Sequence, residues 1–192
     1  KVKFTPDIDR NEVRVRLFFS REAVNAGRAA GAKASSAEEA VTAVVRIRFD
    51  GELIAEERFQ VLNAEESRAI GLSDFNDHGL GRWWTPEKPN LYDAELELAR
   101  GGETVDAVNS YFGMRKISIE NGRINLNNRP YYMRLVLDQG YFPDGVLTAP
   151  TDEDLVRDIA LTKEMGFDGV RKHQKIEDPR FLHWCDKMGL LV

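Results

Sequence analysis

The order of elements after residue 114 constrains this chain more than any other feature. "RPYYMRLVLDQG" (129–140) reads as a strand. "TDEDLVRDIALTKEMG" (151–166) reads as a helix, with Thr151 as N-cap, acidic residues Asp152 to Asp154 on its positive end and Gly166 at its stop. "FDGVR" is a short strand, and "DPRFLHWCDKMG" a second helix that starts at Asp178 and Pro179 and ends at Gly189. "LLV" then opens a third strand. Leu155, Val156, Ile159 and Thr162 share one face of the first helix; Phe181, Leu182, Cys185 and Met188 mark the apolar side of the second.

Strand, helix, strand, helix, strand implies parallel strands joined by crossovers and buried under helices. Three such strands leave a sheet edge and helix faces uncovered, so an incomplete α/β domain is expected. Spacing alone leaves a doubly wound sheet and a (β/α)8 barrel both open. The sequence starts at Lys1 and stops inside an apolar run, and so reads as part of something longer.

Up to residue 113 the pattern is different. "EVRVRLFF" (12–19) and "AVVRIRF" (43–49) alternate apolar and charged residues, "LYDAELELAR" (91–100) repeats the alternation, and "GG" at 101–102 reads as a hairpin turn into "ETVDAVNSYFG". Several short strands with turn signals predict an immunoglobulin-like β-sandwich over residues 1–113, without a cysteine pair to staple it. The fold class expected is thus mainly β plus α/β. The Ala-, Gly- and Ser-rich stretch at 23–40 is expected to be a long loop, with Ser35 or Ser36 available to cap a short helix within it.

Composition narrows the function. With 192 residues, 42% of them hydrophobic, the chain is large enough for a real core. A formal net charge of -5 disfavours a general polyanion binder, so nucleic acid is not an expected partner. No apolar run is long enough for a membrane span, and no signal-peptide core is present at Lys1. The single cysteine, Cys185, excludes an internal disulfide and a thiolate metal cluster. Neither a phosphate-loop glycine pattern nor a metal-spaced histidine set is present, so no cofactor or metal is expected; the compartment stays open.

In parallel α/β folds ligands bind at the carboxyl ends of the strands. That rule selects "LDQGYFPDG", with Asp138, Gln139, Tyr141 and Asp144, and "RKHQK" after the second strand. Asp144 beside a glycine suits a turn equally well. Arg171 ends a strand, where its fork can hold a carboxylate, and alternation returns His173 to the same side. Lys172 and Lys175 are expected to face solvent. Other candidates carry less: His78 is a loop residue, His183 a helix residue, and Cys185 a buried inert thiol. Trp83, Trp84 and Tyr92 suit either a sugar-stacking platform or, as the commoner use, sandwich core and rim.

"WWTPEKPNLYDAELEL", "YFGMRKISIENGRINLNNRPYYMR" and "DEDLVRDIALTKEMGFDGVRKHQKIEDPRFLHWCDKMGLLV", in that order, resemble the central part of glycoside hydrolase family 2 enzymes of the β-galactosidase, β-glucuronidase and β-mannosidase types. The resemblance implies an immunoglobulin-like sandwich followed by the N-terminal part of a (β/α)8 catalytic barrel, here residues 114–192 and truncated. It implies retaining hydrolysis of O-glycosidic bonds by two carboxyl groups roughly 5–5.5 Å apart. In that family both are glutamates on later barrel strands, so no catalytic residue is expected in this chain. Arg171 matches the family's arginine near the nucleophile, where it would keep a carboxylate ionised. Asp138, Gln139 and His173 stand where many members have other sugar contacts, "LDQGYFPDG" and "KHQKIEDP" replacing an Asn-Arg-His and a Ser-His-Tyr-Pro run. Asp138, Gln139, Arg171 and His173 are therefore the substrate-binding candidates, for a carbohydrate handled by the full-length parent.

Two other readings compete. A non-catalytic carbohydrate- or protein-binding sandwich would depend on Trp83 and Trp84; a structural spacer would leave the polar strand ends unexplained. Self-association through the unfinished barrel edge is a further expectation.

Overall fold

The computed structural model describes residues 1–25, 40–72 and 82–192. Most of the 23–40 stretch, with Ser35 and Ser36, and His78 lie outside the described residues. At the start of that stretch residues 21–25 are helical, with the Ser20 hydroxyl accepting from the Ala23 amide at 3.3 Å, so the expected loop begins later than Ala23. The chain divides into two compact units, Lys1–Arg82 with Leu91–Met114, and Trp83–Asn90 with Arg115–Val192.

The first unit is a β-sandwich. Strands β1 (Val2–Asp7), β2 (Glu12–Phe18), β3 (Val41–Phe49), β4 (Glu52–Gln60), β5 (Glu65–Gly71), β6 (Tyr92–Arg100) and β7 (Glu103–Phe112) form two antiparallel sheets, ordered β1-β2-β5 and β4-β3-β6-β7. Period two explains the burial: Val13, Val15 and Leu17 of β2 and Ala43, Val45 and Ile47 of β3 point into the core. The rings of Phe4 and Phe112 stack at 5.1 Å, and Tyr92 stacks on Phe112 at 5.3 Å, tying the two sheets together. The charged residues between them form a ladder on the outer face, where Arg46 reaches Glu56 and Glu97, each at 2.8 Å, and Arg48 reaches Glu95 at 3.0 Å. Asp50-Gly51 and Gly101-Gly102 close tight hairpins with both residues at positive φ.

The second unit opens with a hairpin, β8 (Ile117–Glu120) and β9 (Arg123–Leu126), and a short strand β10 (Arg129–Pro130) folds back on β9. Asn121-Gly122 and Asn127-Asn128, all at positive φ, make the turns. The single strand expected over 129–140 is therefore two. The backbone must leave an antiparallel partner at Ile124, whose carbonyl takes the Tyr131 amide at 2.9 Å, before it can join a parallel one.

That second piece, β11 (Leu135–Asp138), pairs in parallel with β12 (Gly169–Lys172), aligning Leu137 with Arg171 and Asp138 with Lys172. Helix α1 (Asp152–Glu164) follows β11 and helix α2 (Pro179–Met188) follows β12. Leu191 bridges Gly169 in parallel beyond α2, as expected for the start of a third strand. Both helix starts are as read from the sequence. Thr151 and Asp154 form a reciprocal capping box, Asp178 caps α2 with Pro179 in its first turn, and Gly189 ends it at φ 77°.

Leu155 and Ile159 of α1 and Phe181 and Cys185 of α2 pack with Phe142, Ala149, Val170 and Leu190, with Val136 against them. Thr162 is also buried, but Val156 only partly, and Leu182 is 45% exposed, so the apolar stripe of α2 is narrower than its sequence suggests. Segment 83–90 belongs to this unit. Trp84 is 2% exposed, its indole N–H donates to the Asp186 carbonyl at 2.7 Å, and its own carbonyl accepts from Asn127 Nδ2 at 3.0 Å. Tyr92 is fully buried in the sandwich. Neither ring offers a face for stacking a sugar.

Candidate functional site

Val136 and Val170 face the helices, so by alternation Asp138 and Lys172 lie on the helix side and Leu135, Leu137 and Arg171 on the opposite face. That opposite face is open in this chain. Leu137 is 57% exposed and Arg171 is exposed beside it.

The carboxyl ends of β11 and β12 are cross-linked by a compact ionic cluster. Lys172 Nζ lies 2.5 Å from Asp138 and 3.1 Å from Glu177, and Lys175 Nζ lies 2.7 Å from the same Glu177 oxygen. The Lys172 side chain is only 9% exposed and that of Glu177 4%. The solvent-facing orientation expected of Lys172 and Lys175 is thus overturned. Strand alternation assigns Lys172 to the side opposite Arg171, and in this fold that side is roofed by helix. Buried ammonium groups there need partners: the two carboxylates, the Gly140 and Leu147 carbonyls at 3.0 and 2.7 Å from Lys175, and the ring of Phe181, 4.1 Å from Lys172. On α1 nearby, burial raises the Asp158 carboxyl above its ordinary pKa, and the Asp138 charge adds to the rise.

The four candidates fall into three positions. Asp138 is committed to the cluster: besides Lys172, it accepts the Gly140 amide at 2.6 Å. Gln139 and His173 meet at the strand ends, Nε2 and Nδ1 being 3.3 Å apart, and the His173 amide donates to the Asp138 carbonyl at 2.9 Å. Arg171 stands on the open face. Asp144 lies in the turn between Phe142 and Val146, which exchange backbone hydrogen bonds at 2.8 and 2.9 Å, in keeping with a turn former. Tyr141 is 64% exposed beside it. Glu177 was missed by sequence reasoning. A carboxylate one residue before a helix cap looks solvated, and nothing local shows that two lysines converge on it.

The opposite, amino-terminal ends of the strands hold a second polar concavity of about 300 Å³, lined by Pro86, Glu87, Arg134, Lys163, Gly166, Phe167 and Asp168. Its charges are engaged in holding backbone. Arg134 grips Asp168 at 2.9 and 2.6 Å and keeps its carboxyl below the usual range, while Lys163 donates to the Pro86 and Gly189 carbonyls at 2.6 and 2.9 Å. Burial lowers the Lys163 pKa. Among the described residues, no group of three or more His, Cys, Asp and Glu side chains is placed to hold a metal ion, and no helix is long and apolar enough to cross a membrane.

Comparison with known proteins shows the family of the chain. β-Galactosidases of Photobacterium profundum and Klebsiella pneumoniae strain 342 are 34% and 35% identical to the chain over 110 and 111 residues, 57% of this chain in each case. The matched segments are 11% and 10% of those proteins, so the chain spans about a tenth of the length of these curated relatives. Among solved structures, a glycosyl hydrolase family 2 member from Bacteroides cellulosilyticus superimposes with a TM-score of 0.77 at 19% identity, covering 99% of this chain and 25% of that one. A β-glucuronidase from Bacteroides uniformis gives a TM-score of 0.73 at 23% identity, covering 99% and 22%. These two likenesses show the fold. Residues 1–115 match the family model described as glycosyl hydrolases family 2. With more than half of its 192 residues under that match, the chain belongs to glycosyl hydrolase family 2.

Proposed function

We propose that this chain is the part of a retaining, β-galactosidase-like glycoside hydrolase that joins an immunoglobulin-like sandwich, residues 1–113 apart from segment 83–90, to the first βα units of a (β/α)8 barrel, residues 114–192. The catalytic carboxylates are contributed outside it, and the isolated chain is inactive. One observation carries this reading: in a family 2 member, two parallel strands each followed by a helix bring Gln139 and His173 together at their carboxyl ends, with Arg171 on the helix-free face. In a closed barrel that face is the interior, and the exposed Leu135 and Leu137 are the kind of side chain that fills it. The strand order β1-β2-β5 and β4-β3-β6-β7 supports the immunoglobulin-like assignment, with the fourth strand carried on the second sheet.

In this role Arg171 holds the attacking carboxylate ionised and oriented, and Gln139 and His173 present hydrogen-bonding groups to a sugar hydroxyl. Asp138 contributes indirectly, by fixing Lys172. The test is hydrolysis of aryl β-galactosides and β-glucuronides by the parent enzyme. Arg171→Ala is expected to lower kcat strongly with the thermal midpoint retained; a parent that cleaves no aryl glycoside refutes the reading. The uncovered Leu135 and Leu137 face also leads us to expect self-association of the isolated segment, and a monomer in light scattering at high concentration would contradict that. A stand-alone sugar-binding sandwich draws no support from Trp83 and Trp84: Trp84 is buried, Trp83 is half-buried, and both belong to the second unit.

A further inference from the structure

We propose that Lys175 is a positioning residue, a single ammonium that latches the β11–α1 loop onto the β12–α2 loop and so sets the Gln139–His173 pair. An ammonium has three N–H donors. Lys175 Nζ donates to the Gly140 carbonyl at 3.0 Å and to the Leu147 carbonyl at 2.7 Å, and forms an ion pair with Glu177 Oε1 at 2.7 Å. The two carbonyls stand at opposite ends of the turn bridged by Phe142 and Val146, so one cation closes that loop and ties it to the next.

The backbone on both sides is held in conformations that it would not adopt unaided. Val146, a β-branched residue next to the Leu147 acceptor, sits at φ 55°, and Gln174, next to Lys175 itself, at φ 58°. Such positions persist when surrounding bonds fix them. Gly140, at φ 66°, packs against the cluster: an added Cβ would crowd Glu177 Oε1 and Lys175 Nζ and force one of these side-chain ends to shift.

Gln139 lies between Asp138, held by Lys172, and Gly140, held by Lys175. His173 lies between Lys172 and the strained Gln174, with its amide on the Asp138 carbonyl. Both side chains are therefore carried on backbone that the cluster fixes on each side. The latch stands on this geometry alone; its bearing on turnover rests on the glycosidase reading above.

The experiment uses this chain, with Lys175→Met, which keeps an apolar stem and removes the charge, and Gly140→Ala, which keeps the charge and crowds the latch. Amide exchange is followed residue by residue, together with the ring resonances of His173 at fixed pH. Both variants are expected to exchange roughly tenfold or more faster over residues 141–147 with α1 and α2 unchanged, and to shift the His173 ring resonances as the contact with Gln139 loosens. Unchanged exchange at 141–147, or an unmoved His173 ring, overturns the proposal; so does a uniform rise across the unit, which marks a merely stabilising cluster. In the parent enzyme, Lys175→Met is expected to raise KM several-fold more than it lowers kcat. A loosened loop and moved ring in a parent without glycosidase activity would refute the glycosidase reading and leave the latch standing.

Discussion

Trp84 offers the sharpest test of how the second unit is held together. Its indole is 2% exposed, its Nε1 donates to the Asp186 carbonyl at 2.7 Å, and the Arg115 guanidinium lies 4.7 Å from the ring. Trp84→Phe keeps most of the ring and removes the N–H that donates to the Asp186 carbonyl, which should cost about 0.5–1.5 kcal/mol. Trp84→Ala also removes the packed ring and opens a cavity, for about 3–5 kcal/mol in total. All three tryptophans, Trp83, Trp84 and Trp184, belong to this unit, so the fluorescence of the remaining two reports its unfolding without contribution from the sandwich. Urea unfolding followed by that signal should place the midpoints in the order wild type, Trp84→Phe, Trp84→Ala. A Trp84→Ala variant within about 1 kcal/mol of wild type would refute the reasoning, since truncating a fully packed aromatic cannot be that cheap. Loss of a measurable sugar affinity in a still-folded Trp84→Phe variant would restore the stacking platform that burial argues against.

Three further expectations follow from single contacts. Because Arg134 holds the Asp168 carboxyl below its ordinary value, the stabilisation from this group is complete above about pH 4 and is lost as pH falls through its folded-state pKa. Asp168→Asn should therefore lie well below wild type at pH 7 and close on it in acid, and a gap independent of pH would refute the assignment. Cys185 is 2% exposed, and burial pushes its thiol up to about 12, so thiol reagents should label it only as fast as the unit opens; rapid labelling under native conditions would contradict its packing. Thr151→Ala, which breaks the capping box at the start of α1, should destabilise the second unit by about 1 kcal/mol in the same urea assay, with no loss if the cap is idle.

The proposals for the site depend on an asymmetry between the two faces of β11 and β12. The helix-side face is complete within this chain: it has an apolar core and an ionic cap at its carboxyl end, each charge matched by another. The opposite face carries Leu135, Leu137 and Arg171, all three exposed, Leu135 at 39% and Leu137 at 57%.

The ends of α1 and α2, which are encoded within a few residues, were legible in the sequence. Thr151 with Asp154, Asp178 with Pro179, and Gly189 fix helix ends through hydrogen bonds and φ angles that involve only their neighbours. Alternating charge in "AVVRIRF" likewise determined which side chains of β3 turn outward, because the pleat has period two. Period two could not say which of two faces would be covered. Lys172 was assigned correctly to the side opposite Arg171 and wrongly to solvent, since only the docking of α1 and α2 roofs that side and brings Asp138 and Glu177 to meet it. Trp84 is similar: its neighbours in sequence suit rim or core, and the Asp186 carbonyl that claims its N–H lies 102 residues away. The sequence by itself determined the helices, the alternation of the strands and the positions where a site belongs. Tertiary structure alone decided which charges are buried there, because burial depends on what packs against a residue from far along the chain.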